Sequence, residues 1–176
     1  MWTEQDRQMM HRALDLARTA RRDGEVPVGC LVVLNDEPVG SGHNASIALT
    51  DPTAHAEIVA LRDAAKRVGS YRLVGATAYC TVEPCLMCLG AMMHARIRRL
   101  VFGAAEGRVG ATSRLEKLRG LGADFNHRFR TEGGLLAEEA SELLLDFFRQ
   151  RRAEKVEAQS RHCKTTTTIG EVPKWS

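Results

Sequence analysis

The chain has 176 residues, with 25 Lys and Arg against 22 Asp and Glu for a net charge of +3, and 44% of its residues are hydrophobic. Those figures fit one globular domain and exclude a disordered polyelectrolyte. No run approaches the ~18 consecutive apolar residues of a membrane span, and Met1-Trp2-Thr3-Glu4-Gln5-Asp6 has no signal-peptide character, so a cytoplasmic protein with no membrane partner is expected.

Met9, Met10, Ala13, Leu14, Leu16, Ala17 and Ala20 recur at spacings of three and four, which predicts an amphipathic helix over 3–20 that ends near Asp23-Gly24. The nearly all-apolar run 28–34 reads as a strand covered on both faces. Asn35-Asp36-Glu37-Pro38 is turn chemistry, and 39–42 returns as a second strand. A loop over 44–53 leads to a helix over 54–68, and 76–82 is the third strand. Pro84 suits the first turn of a helix over 85–94. A fourth strand at 99–102, a helical turn at 113–118, a weak fifth strand at 128–131 and a long helix over 135–158 complete an α/β sandwich. A single domain over 1–159 is expected, with 160–176, which has four consecutive threonines and no apolar period, as a mobile tail.

Three of the five cysteines, Cys80, Cys85 and Cys88, fall within nine residues, which points to metal binding or catalysis over disulfides. Cys85 and Cys88 stand at i and i+3, so their sulfurs share one side of a helix start. His55-Ala56-Glu57 opens another predicted helix. Two thiolates and one imidazole leave the fourth position of a tetrahedral Zn²⁺ open to water, as in catalytic sites. Glu57, two residues past His55, faces elsewhere than the imidazole and can serve as the general acid/base for that water. Two other readings compete: a Cys-x-x-Cys redox pair, and a closed structural zinc site with Cys80 as fourth ligand. Cys80 also fits ordinary packing in the middle of a strand.

Longer strings carry a resemblance. Glu25-Val26-Pro27-Val28-Gly29, Asp51-Pro52-Thr53-Ala54-His55-Ala56-Glu57, Glu83-Pro84-Cys85-Leu86-Met87-Cys88, Val101-Phe102-Gly103-Ala104, Asn126-His127-Arg128 and Asp146-Phe147-Phe148-Arg149 are similar to runs in the zinc-dependent nucleoside and base deaminases. The chain most closely resembles the bacterial tRNA adenosine deaminases, from its first helix to about Ala158. The resemblance implies a homodimer of cytidine-deaminase-like subunits, each a three-layer α/β/α sandwich with a five-stranded mixed sheet. It implies conversion of adenosine to inosine at the wobble position of a tRNA anticodon stem-loop. One Zn²⁺ per subunit would be held by His55, Cys85 and Cys88, with Glu57 moving protons during hydrolytic attack at C6 of adenine.

Asn44 matches the residue that hydrogen-bonds the flipped base, and Val26 the one that packs beside it; a turn Asn and a core Val are the ordinary alternatives. Between residues 149 and 164 stand six basic side chains, Arg149, Arg151 and Arg152 among them, against two acidic ones. With Phe147 and Phe148 ahead of them they could meet phosphates and splayed bases, or form a solvated face over core phenylalanines. Glu106-Gly107 departs from the Asp-Pro usual in the family, where the acid approaches a ribose 2′-hydroxyl. Cys30 and Cys163 receive no function, and the Thr-rich tail with Trp175, which has no counterpart in the family, is either inert or a contact to RNA. Two other functions share parts of this pattern: a zinc deaminase of a small free base or nucleoside, such as guanine, cytosine or cytidine, and a non-catalytic RNA-binding module with structural zinc.

Overall fold

A computed structural model describes residues 1–107 and 110–166 of the chain, with side chains through residue 160. Its elements run α1 (Glu4–Arg22), β1 (Gly29–Leu34), β2 (Glu37–His43), α2 (Ala56–Val68), β3 (Thr77–Val82), α3 (Leu86–Ala95), β4 (Arg99–Ala104), α4 (Thr112–Gly120), β5 (Arg130–Gly133) and α5 (Ala137–Thr166). The five strands form one sheet in the order β2-β1-β3-β4-β5. β1 is antiparallel to both β2 and β3, whereas β3, β4 and β5 run parallel. This is the mixed five-stranded sheet expected from the resemblance.

Side chains that alternate along each strand build the two faces. Cys30 and Val32 of β1, Ala78 and Cys80 of β3, and Leu100 and Phe102 of β4 pack against Ala56, Ala60 and Ala64 of α2 and Leu89 and Met92 of α3. Leu31, Val33, Tyr79 and Val101 point the other way, to Met9, Met10 and Ala13 of α1 and to Leu135 before α5. Strands buried on both sides have no polar alternation, which is why 28–34 reads as a continuous apolar run. α1 and α5 share the second face through Leu14 and Ala140, and the three layers are complete.

β2 and β3 are both antiparallel to β1 and therefore parallel to each other. α2 thus crosses over from β2 to β3 and α3 from β3 to β4, and both helices start at the same edge of the sheet. The approach of α2 is close. A Cβ on Gly42 of β2 would stand 2.5 Å from the Ala56 carbonyl oxygen and 2.5 Å from the Ala60 nitrogen, so only glycine leaves room for the helix backbone.

Several boundaries differ from the sequence reading. β5 lies two residues later than 128–131, and β2 begins at Glu37 because Asn35 and Asp36 alone, at φ 51° and 65°, make the turn. α5 runs on through Thr166, past the residue 158 at which the apolar period stops. Each residue added to a formed helix gains a hydrogen bond without a new nucleus, so loss of apolar period does not end it. Residues 167–176, including Trp175 and the end of the threonine tract, lie outside the described residues. No helix among the described residues is long and apolar enough to cross a membrane.

α1 is anchored by charge. Asp6 closes a capping box with Thr3, and its buried carboxylate accepts from the Tyr79 hydroxyl at 2.8 Å and from Arg99 Nη1 at 2.6 Å. Burial alone would raise its pKa; the bonds from Arg99, Thr3 and Tyr79 outweigh that and hold the carboxyl well below the usual range. A depressed folded pKa stabilises the fold above the unfolded value of about 3.9 and is lost as pH falls below it. Asp6→Asn should therefore cost about 3 kcal/mol at pH 7 and flatten the fall in Tm on acidification below about pH 4, followed by circular dichroism. Gly42→Ala should destabilise by about 1–3 kcal/mol, read from urea unfolding.

Candidate active site

Both helices that start at the common edge begin with a ligand-type residue. His55 is the N-cap of α2 and Cys85 the N-cap of α3, both with extended backbone and neither using its side chain to cap. The sequence pattern predicts them inside the first turn. They stand just before it as N-caps, and Cys88, within the first turn of α3, meets Cys85.

Cys85 Sγ lies 3.7 Å from His55 Nδ1 and 3.6 Å from Cys88 Sγ, and Cys88 Sγ lies 3.6 Å from His55 Nδ1. Donors at ~2.3 Å for sulfur and ~2.0 Å for nitrogen around a tetrahedral Zn²⁺ stand roughly 3.5–3.8 Å apart, so these three atoms fit the ion as they are placed. Among the described residues this is the one group of His, Cys, Asp and Glu whose ligand atoms converge in this way. Cys80 is not in it: its sulfur faces Cys30 Sγ at 3.5 Å, inside the core. The fourth-ligand role weighed for Cys80 therefore has no geometric support.

Hydrogen bonds from Cys88 and His55 pull the Cys85 thiol down to about 3, and its bond to Cys85 raises His55. Cys88 is pushed up by the proton it shares with Cys85 and by burial. A metal ion takes the place of such shared protons, and the positive ends of α2 and α3 favour the thiolates.

Glu57 is 4% exposed. Burial pushes its carboxyl up, partly offset by a backbone hydrogen bond and by His55. It opens into a cavity of about 250 Å³ lined by Val26, Val28, Asn44, His55, Glu57, Val82, Glu83, Cys85, Glu106, Leu144 and Phe148. Apart from Leu144 and Phe148 of α5, these residues come from the edge where β2, β3 and β4 end and β1 begins. Asn44 follows β2, and its Oδ1 accepts from the Ala56 N–H at 2.9 Å. That bond supplies the cap His55 does not make and sets which end of the amide faces the cavity.

The other expected contacts divide. Val26, Asn44, Glu106 and Phe148 line the cavity. Phe147 is buried and meets Phe148 edge-on, with ring centroids 5.5 Å apart, so it supports its neighbour and presents no surface to a base. Arg149 and Arg151 are exposed on α5, paired with Asp146 and Glu154, and Arg151 lies over the Phe147 ring. Arg152 is exposed as well. Sequence reasoning missed Val28, Val82, Glu83 and Leu144. Glu83 stands beside Pro84-Cys85 and could have been found by adjacency; Leu144 is one helical turn before Phe148, but the placement of α5 is tertiary. Buried Glu25 accepts from the N–H groups of Ile47 and Ala48 at 2.7 and 2.9 Å and fastens the loop after Asn44.

Two cysteines and a histidine set for zinc, beside a buried carboxylate in a base-sized pocket, define the class of zinc-dependent hydrolytic deaminases. Residues 3–104 match the cytidine and deoxycytidylate deaminase zinc-binding region. The tRNA-specific adenosine deaminase of Haemophilus influenzae is 48% identical over 162 residues, covering 87% of this chain and 88% of that protein. The enzyme of the same name from Bacillus subtilis is 38% identical, covering 88% and 96%. A solved structure from work on A-to-I editing by tRNA:A34 deaminases at the wobble position superposes with TM-score 0.73 at 38% identity, covering 78% of this chain and 99% of that one. A structure of guanine deaminase from Nitrosomonas europaea, at 23% identity and TM-score 0.63 over 84% and 85% of the chains, shares the fold. The chain belongs to the cytidine and deoxycytidylate deaminase family and, within it, to the tRNA-specific adenosine deaminases.

Protein purified with zinc should carry one ion per chain by elemental mass spectrometry, and Cys88→Ser should lose most of it on dialysis while Cys80→Ser retains it.

Proposed function

We infer that this chain converts adenosine to inosine, with water consumed and ammonia released, at the wobble position of a tRNA anticodon stem-loop. The observation that carries the reading is the opening of His55, Cys85, Glu57 and Asn44 into one cavity of about 250 Å³. That volume lies below the ~300–1,000 Å³ usual for ligand pockets and suits one extruded base.

Zinc held by His55, Cys85 and Cys88 supplies Lewis acidity that brings the pKa of water toward about 7. Glu57 would take a proton from the attacking water and give it to N1 of the purine, then take the proton of the new C6 hydroxyl and give it to the departing amino group, so that the C6 carbonyl forms as ammonia leaves. Its burial keeps bulk water from competing for those protons. Asn44, with Oδ1 engaged by Ala56, turns its Nδ2 donors to acceptors on the ring. Val26, with Val28 and Val82, packs the base, and Glu106 stands where the ribose would enter. Phe148 at the rim, 41% exposed, offers a face to a neighbouring base, while Arg149, Arg151 and Arg152 meet phosphates along α5.

The catalytic unit spans 1–159. It pairs as a homodimer through the apolar groove between α2 and α3, where Ile58, Leu61, Ala91 and the exposed Tyr71 and Met87 lie together. Its substrate places it in the cytoplasm.

Nucleoside mass spectrometry after incubation with tRNA should show inosine. Glu57→Ala should keep its zinc and lose about 10²–10⁴-fold in rate, and Arg149→Ala with Arg152→Ala should raise KM. Ammonia released from guanine or cytidine, with no inosine in any anticodon stem-loop, would replace this reading with that of a small-substrate deaminase.

A further inference from the structure

We propose that Glu83 is a positioning residue that fixes Glu106 as one wall of the base pocket by tying it to the start of α4. This rests on the deaminase reading above and deepens it.

Glu83 follows β3, two residues before Cys85, and its own N–H donates to the Ala104 carbonyl at the end of β4 at 2.8 Å. Its side chain crosses the same gap. One carboxylate oxygen accepts from the Glu106 N–H at 3.1 Å, and the other accepts from the Thr112 N–H at 3.0 Å and from the Thr112 hydroxyl. The two ends of the connection between β4 and α4 are thus tied to one side chain. Thr112 is the first residue of α4, whose N-cap, Ala111, has no side chain able to cap. The carboxylate therefore also supplies the missing cap and meets the positive end of the helix.

The backbone is shaped to this anchor. The Gly110 N–H donates to the Glu106 carbonyl at 2.9 Å, and the Ala111 N–H to the Pro84 carbonyl at 3.1 Å. A Cβ on Gly110 would lie 2.3 Å from both the Glu106 oxygen and a Glu83 carboxylate oxygen, so the chain wraps the carboxylate more tightly than any side chain at residue 110 permits. Glu83 and Glu106 line the cavity that holds His55, Glu57 and Cys85. Glu83 is absent from the converging ligand set, and charge-assisted bonds to backbone N–H groups fix a loop more firmly than neutral ones. Its effect on the reaction therefore runs through the placement of Glu106, and it should appear in substrate binding before the chemical step.

The test uses the full zinc-loaded protein and a tRNA anticodon stem-loop carrying the target adenosine. Glu83→Ala should raise KM about tenfold or more, with kcat within about threefold and zinc content unchanged. Glu83→Gln, which keeps acceptor capacity on one side, should fall between it and the wild type, and Thr112→Val should reproduce part of the rise. Hydrogen exchange should quicken at Glu106 and Thr112 in these variants and stay unchanged over α2 and α3. A loss of zinc, a fall in kcat at constant KM, or unchanged exchange at Glu106 would overturn the proposal. Wild-type protein that binds zinc yet deaminates no stem-loop would overturn the functional reading instead, so the two failures are distinguishable.

Discussion

Three donor atoms meet at 3.6–3.7 Å because two helices begin at one edge of one sheet. An ion with three protein ligands needs them brought together without a long flexible loop, whose ordering would cost entropy at each residue. Here the cost is met by the fold: β2 and β3 are parallel neighbours once removed, and each delivers its chain to the same edge, where a helix N-cap takes over. Two ligands are the N-caps of packed helices and the third, Cys88, lies in the first turn of α3, and Gly42 of β2 lets α2 lie close to the sheet.

The same edge explains the rest of the pocket. Open sheets bind ligands beyond the carboxyl ends of their parallel strands, and here those ends contribute Asn44, Val82, Glu83 and Glu106, while antiparallel β1 enters at that edge with Val26 and Val28. Loops there would be mobile if left to themselves. Buried or half-buried carboxylates hold them: Glu25 gathers the N–H groups of Ile47 and Ala48, and Glu83 those of Glu106 and Thr112. At the opposite end of β4, Asp6, Tyr79 and Arg99 form a second polar network that holds α1 to the sheet. Polar groups sunk at both ends of an apolar sandwich set where the helices dock, because each would be costly to leave unpaired.

What was legible in the sequence was local chemistry and local period. The 3.6-residue recurrence from Met9 to Ala20, the uninterrupted apolar strand over 28–34 and the i, i+3 cysteines each depend on neighbours along the chain. The His-x-Glu and the Pro-Cys-x-x-Cys are each local as well, and their presence together in one chain is why ligands and acid/base could be named. Boundaries were less legible: His55 and Cys85 stand before their helices and not within them, since an N-cap is defined by hydrogen bonds the first turn lacks. The tertiary structure alone decided that Cys80 turns to Cys30 and away from the ligand set, that Phe147 is buried while Phe148 reaches the rim, and that Glu83 and Leu144 belong to the pocket. Those outcomes depend on which strand lies beside which and where α5 crosses the sheet, and such contacts between distant segments leave no period or spacing in the chain that makes them.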